Sequence, residues 1–132
     1  MFTREYVAQT APIKVVGYRS EVRDGKQQHA ISAEIEGVHH VLSHDAPGPI
    51  DAFVHTLSQR MGQRFEVESY TQHALDQGSK ARAVAYVCLR TDGGERRFGV
   101  GVHESIVSAS LAAVASAVNR LVASLERERA VG

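Results

Sequence analysis

The chain has 132 residues, 43% apolar and 23% charged, which describes one globular domain and about half the length that a (β/α)₈ barrel needs. Its 15 basic side chains balance 15 acidic ones, so the surplus of Lys and Arg that a dedicated nucleic-acid binder uses against phosphates is missing. No apolar run is read as approaching the roughly 18 to 20 residues of a membrane span, and Met1 to Tyr6 lacks the apolar core of a signal peptide.

In chain order, Ile13 to Val22 is predicted to be a strand that ends at Asp24-Gly25, a strong hairpin signal. His29 to Ile35 alternates, with Ile31, Ala33 and Ile35 on one face and Ser32 and Glu34 on the other. Glu36-Gly37 then turns the chain into a third strand, Val38 to Ser43. Pro47-Gly48-Pro49 feeds an amphipathic helix whose stripe is Ile50, Phe53, Val54, Leu57 and Met61, which Pro49 can begin and Gly62 can end. The second half repeats the plan. Phe65 to Ala74 is extended, Asp76-Gln77-Gly78-Ser79 is a loop, and Ala81 to Arg90 carries Ala83, Ala85, Val87 and Leu89 on one face. Asp92-Gly93-Gly94 turns into Arg96 to Val102, and a long helix runs from about Ser105 with Val107, Leu111, Val114, Val118, Leu121, Val122 and Leu125 as its stripe.

The predicted fold is therefore α+β, with two pseudo-repeated βββα units of antiparallel sheet and helices packed on one sheet face. Residues 1–12 form a lead-in, 13–63 the first unit and 64–129 the second, within a domain of residues 13–132. An offset of 56 residues pairs Ile31 with Val87, Ala33 with Leu89, Gly37 with Gly93, Leu42 with Phe98 and Ile50 with Ile106. Sheet surface beyond what two helices cover would be left for a partner, so a homodimer is expected.

The seven histidines, His29, His39, His40, His44, His55, His73 and His103, lack ligand spacing and are read as scattered surface or loop residues, with no metal expected. Ser43-His44-Asp45 cannot form a catalytic relay, because consecutive residues do not converge in space. The single cysteine, Cys88, excludes an intrachain disulfide, suits a reducing cytoplasm and reads as a packed, inert thiol opposite Val87 and Leu89.

The segment from Ser43 to Phe53 is the most informative, since it delivers a helix N-terminus whose unpaired N–H groups and dipole favour a carboxylate or phosphate. Its plain alternative is a strand-to-helix connection with Asp51 stabilising the first turn. The counterpart in the second half, Gly99-Val100-Gly101-Val102 leading to Ser105-Ile106, bares one strand face to another backbone or a small ligand. The two loops are expected side by side, with room between them for a small anionic or zwitterionic ligand.

Gly48-Pro49-Ile50-Asp51-Ala52-Phe53, Tyr70-Thr71-Gln72-His73-Ala74-Leu75, the Gly99 to Ser110 stretch and Ala117-Val118-Asn119-Arg120 resemble the C-terminal regulatory domain of 2-isopropylmalate synthase. Phe2-Thr3-Arg4-Glu5-Tyr6 is similar to the segment leading into that domain, so the resemblance covers nearly the whole chain. It implies a cytoplasmic, dimeric, effector-binding domain that takes L-leucine or a related amino acid for feedback control of leucine biosynthesis. It further implies that the chain is not catalytic alone. The acyltransferase barrel with its metal would lie upstream of Met1, fused or separate, so the chain is expected to be an excised domain or a free-standing relative. A family pocket loop of pattern Gly-x-Gly-Asn-Gly-Pro aligns with His44, Asp45, Ala46, Pro47, Gly48 and Pro49. A tyrosine and two alanines of that pocket match Tyr70, Ala74 and Ala81, and Asp51 completes the expected site. His44 and Ala46 replace glycines, which adds bulk where the ligand's polar end approaches, so weaker binding is expected than with the full glycine loop. A dimerisation scaffold without ligand is the alternative reading; no cofactor, nucleic acid or membrane is implied.

Overall fold

The computed structural model describes residues 13–45, 48–74 and 82–131, the side chains of residues 44, 45 and 124–131 excepted. The lead-in, the loop after Ala74 and three expected site residues, Ala46, Pro47 and Ala81, lie outside the described residues.

The elements are β1 (Ile13–Arg23), β2 (Lys26–Ile35), β3 (Val38–Asp45), α1 (Pro49–Met61), β4 (Phe65–Ala74), β5 (Ala83–Thr91), β6 (Arg96–His103) and α2 (Ile106–Val131). They form two three-stranded antiparallel sheets in the orders β1-β2-β3 and β4-β5-β6, each followed by a helix. The fold is α+β, βββα twice, as the periodicity indicates. β1 and β2 run further than the expected Val22 and His29, to Arg23 and Lys26, because the two-residue turn Asp24-Gly25 lets the ladder close up to it. Both turn residues have positive φ, 55° and 76°, the twist that suits a tight hairpin. Glu36-Gly37 repeats the device at 53° and 83°.

Both helices contact both sheets: α1 lies against β2, β3 and β4, and α2 against β1, β5 and β6. The core between them joins Ile31, Ala33 and Leu42 of the first sheet, Ala85, Val87 and Leu89 of the second, Phe53 and Leu57 of α1, and Leu111, Val114, Val118 and Leu121 of α2. Asn119 of α2 ties the units together, accepting from the Ile13 N–H at 3.1 Å and donating to the Ile13 carbonyl at 3.0 Å.

Gly99 and Gly101 are where α2 meets the second sheet. A Cβ on Gly99 would sit 2.0 Å from the Ala113 carbonyl oxygen, and one on Gly101 2.1 Å from that of Ala109. Of the two possibilities open from sequence, the bared strand face receives another backbone, that of α2. The same helix corrects the expectation about apolar runs. Ile106–Ala123 is an 18-residue window of mean hydropathy 1.6, long and apolar enough to cross a membrane. Half of it is buried inside the fold, on several sides, as befits a core helix flanked by two sheets.

The repeat is real in register but its offset is not constant. Tyr18 faces Ile31 and Tyr70 faces Val87, so β1 and β4 superpose at an offset of 52, with a bulge at Val16 in one and at Glu68 in the other. β2 and β5 keep the offset of 56. The turn after β5 holds one more residue than Glu36-Gly37, with Gly94 at φ 89°, so the third strands superpose at 57. The buried Leu42 therefore corresponds to Gly99, and the expected pairing with Phe98, which points outward, is off by one residue. The helix starts follow suit: Gly48 corresponds to Ser105, and Ile50 to Val107 instead of Ile106.

Candidate functional site

α1 begins without a side-chain cap. Gly48 is extended at φ −152° and its carbonyl accepts from the Ala52 N–H at 3.0 Å, while Pro49 fills the first helical position, where no N–H is needed. The first-turn N–H groups of Ile50 and Asp51 thus have no capping oxygen from the cap residue, and the positive end of the helix dipole lies with them. α2 is finished differently: Ser105 Oγ accepts from the Ser108 N–H at 3.3 Å, and the Ser105 N–H donates to His103 Nδ1 at 3.0 Å.

Beside the open α1 start lies a cavity of about 290 Å³ lined by Gly48, Pro49, Ile50, Asp51, Val67 and Tyr70. It joins the two units, since the first four residues come from α1 and the last two from β4. That volume is at the small end of ligand pockets. Val67 and Tyr70 are three apart, and strict alternation would send them to opposite faces. The bulge at Glu68 brings both to the same side. Tyr70 is held from beneath, its hydroxyl bonded to Ser110 Oγ at 2.7 Å and to Gln72 Oε1, so it presents its ring to the cavity as a wall. Two hydroxyl protons serve these contacts: Ser110 donates to the Ile106 carbonyl at 2.9 Å when Tyr70 donates to Ser110, and Tyr70 donates to Gln72 Oε1 only when Ser110 donates to Tyr70.

Of the expected site residues, the structure thus brings together Gly48, Pro49, Asp51 and Tyr70. Ala74 does not join them: it is exposed at the end of β4, four residues or about 13 Å along the strand, and does not line the cavity. His44 and Asp45 are the last residues of β3, paired through their backbones with His29 and Gln28, and their side chains are not described. The Gly99 to Ser105 loop, expected beside the first, contributes no lining residue. Ile50, Val67 and Ser110 are not among the site residues expected from sequence. Val67 had no signal beyond the matching Val15 to Tyr18 spacing of the first unit.

Two other hollows border α1. A groove of about 710 Å³ between α1 and β4 continues from Asp51 and Val67 to Arg64, and a cavity of about 430 Å³ at the other end of α1 is lined by Ile13, Ile35, Val38, Leu57 and Met61 with Arg60 and His40. Arg60 Nη2 there lies 3.1 Å from His40 Nε2.

Among the described residues, no three His, Cys, Asp or Glu side chains converge as a metal site. His29 departs from the expectation of surface histidines: it is buried in the first sheet, stacked on Tyr18 and bonded through Nδ1 to the Tyr18 hydroxyl at 2.7 Å. Cys88 is buried as expected. Burial, and secondarily the Glu68 charge, push its thiol above the usual range, partly offset by Arg96.

The family model of the LeuA allosteric (dimerisation) domain matches residues 1–122. The chain belongs to this family. The LeuA allosteric domain seen here is 42% identical over 126 residues to 2-isopropylmalate synthase of Brucella melitensis, covering 92% of this chain and 22% of that protein. It is 39% identical over 132 residues to the synthase of an Azoarcus species, covering 99% of this chain and 22% of the relative. With the synthase of Paraburkholderia phytofirmans it shares 38% over 124 residues, or 93% and 21%. The chain thus spans about a fifth of the length of these curated relatives. The cavity at the α1 start is accordingly a feature of an allosteric domain, apart from the remaining four-fifths of such proteins.

Proposed function

We propose that this chain is an effector-binding regulatory domain that takes L-leucine or a related small amino acid in the cavity at the α1 start, for feedback control of leucine biosynthesis. The observation that carries the reading is the complementarity of that cavity to a zwitterion. The open N–H groups of Ile50 and Asp51 suit a carboxylate, the Asp51 side chain suits an ammonium group, and Ile50, Val67 and the Tyr70 ring form an apolar wall. A simple carboxylate or phosphate would satisfy the N–H groups but meet the Asp51 charge, which an ammonium group on the same ligand answers. The relatives' name and the family description support the pathway, and they support a cytoplasmic homodimer that acts on an acyltransferase domain, fused or separate.

The domain itself performs no acyl transfer in this reading: a thiol-release assay with acetyl-CoA and 2-oxoisovalerate gives background rates. Calorimetric titration of the full chain with leucine, isoleucine and valine tests the binding. Saturable heat with one of them, lost in Tyr70→Ala, is the expected result. Absence of heat with all three at millimolar concentration favours the ligand-free dimerisation scaffold instead.

A further inference from the structure

The two units pack their helices differently, and the reason lies in one strand position. In the second unit Gly99 lets the backbone of α2 come so close to β6 that a Cβ would meet the Ala117 nitrogen at 2.4 Å. The corresponding residue of the first unit is Leu42, whose buried side chain holds α1 off β3. Arg60 of α1 takes the place that Ala117 takes in α2, and it is exposed where Ala117 is fully buried.

Beside Arg60 lies the cavity of about 430 Å³, well within the size of small-molecule pockets. Its wall is Ile13, Ile35, Val38, Leu57, Met61 and Val122, aliphatic or thioether side chains without a ring among them. Val38 and Met61 are still 59% and 38% exposed, so the wall has apolar surface left to cover. The polar lining is Arg60, His40 and Glu36.

Arg60 is poorly partnered for a guanidinium. Its Nη2 lies 3.1 Å from His40 Nε2 and 3.2 Å from Nδ1, and the lone pairs of those two nitrogens diverge, so an N–H placed equally between them is aligned with neither. Among the described residues no carboxylate comes within ion-pair distance of Arg60. Glu36 borders the cavity from the exposed β2-β3 turn, where water screens its charge. Two last-turn carbonyls of α1, those of Gln59 and Ser58, are taken by the Gly62 and Gln63 N–H groups, so an incoming anion faces the guanidinium and not those oxygens. A guanidinium without a carboxylate, next to an aliphatic hollow, is complementary to a molecule with a carboxylate at one end and a hydrocarbon body at the other.

We propose that this cavity is a second small-molecule site, which takes a short aliphatic carboxylate without an amine. The carboxylate oxygens accept from the Arg60 guanidinium, and the hydrocarbon lies against Ile35, Val38, Leu57 and Met61. The cavity at the α1 start differs in kind, because its Asp51 calls for an ammonium group that this ligand lacks. The proposal goes beyond the reading above and does not depend on leucine binding there.

The probe is 4-methylpentanoate, which is leucine without its amine, and the control is its neutral amide, 4-methylpentanamide. Titrated into the ¹⁵N-labelled full chain, the carboxylate is expected to give saturable amide shifts around Ile13, Val38 and Met61. The neutral amide is expected to bind about tenfold more weakly or not at all, since it forgoes a hydrogen bond between charged groups. Arg60→Gln should weaken the carboxylate by about tenfold for the same reason, with Arg60→Lys in between, and Glu36→Gln should tighten it by removing a like charge. Arg60 and Glu36 are both exposed, so these substitutions leave the core intact. Leucine titrated in parallel reports on the α1 start, and its failure to bind there leaves this site standing. Equal binding of the neutral amide, an unchanged affinity in R60Q or a weaker one in E36Q overturns the proposal. So does 4-methylpentanoate that shifts Ile50, Asp51 and Tyr70 instead, or that gives no saturable shift at millimolar concentration.

Discussion

Replacing Gly99 by Ala probes the contact on which the second unit is built. The added Cβ would lie 2.0 Å from the Ala113 carbonyl oxygen and 2.4 Å from the Ala117 nitrogen, both backbone atoms of α2. Ordinary contacts of this kind begin above 3 Å, so α2 must withdraw from β6 by about 1 Å. No rotamer change relieves it, because no side chain is in the way. Overpacking in a core costs about 1 to 3 kcal/mol, and a clash with two backbone atoms of one helix belongs at the upper end. For a chain of this size about 3 kcal/mol lowers the melting temperature by roughly 10 °C. Gly17→Ala is the control, since its Cβ would meet the Ser32 Cβ at an ordinary 3.8 Å and its backbone is not left-handed. That substitution is expected to be neutral or to stabilise by about 0.4 to 1 kcal/mol through the unfolded state. Thermal unfolding followed by circular dichroism decides. If G99A melts within about 2 °C of G17A, the close approach of α2 is wrong.

Asn119→Ala removes both hydrogen bonds to Ile13 and leaves two backbone groups unpaired, so it should cost about 1 to 3 kcal/mol by chemical denaturation. Restoring the glycine loop with His44→Gly, Ala46→Gly and Pro47→Asn should tighten leucine binding by about 1 to 3 kcal/mol in calorimetry, as N–H contacts to a carboxylate are regained. Cys88 should resist a thiol reagent in the native protein and react readily in concentrated guanidinium. Its thiol titrates higher in the folded state than unfolded, so its contribution to stability is complete below the ordinary thiol value and is lost as pH rises through the raised one. Cys88→Ala should flatten that alkaline loss in pH-dependent melts.

The order of elements was legible because local chemistry dictates it. Asp24-Gly25 and Glu36-Gly37 occupy turns whose positive φ few other pairs adopt, and Pro49 and Gly62 bracket α1 as their φ requirements demand. What sequence did not reveal arises where alternation is broken. The bulges at Val16 and Glu68 and the extra residue before Arg96 leave the hydrophobic pattern plausible while shifting the partner of each strand. A constant offset therefore pairs Leu42 with Phe98, and strict alternation separates Val67 from Tyr70. His29 escaped because a polar ring in an alternating strand looks the same whether it faces solvent or a buried tyrosine hydroxyl, a pairing of residues 11 apart in sequence. The apolar length of α2 does not show in its large-residue stripe, because alanines at 109, 113, 115 and 117 bury its other sides too. For the site, helix-start chemistry pointed to Gly48, Pro49 and Asp51, but the Ser110 support under Tyr70 comes from a residue 40 positions away and could only be seen in the fold.

Backbone amide shifts of the ¹⁵N-labelled chain during a leucine titration bear most directly on the claim that the α1 start receives an amino acid. Saturable changes are expected at Ile50, Asp51, Val67 and Tyr70, extending to Ser110 through the Tyr70 hydroxyl. Changes gathered instead around Ile13, Val38 and Met61, or no changes at millimolar leucine, would contradict it.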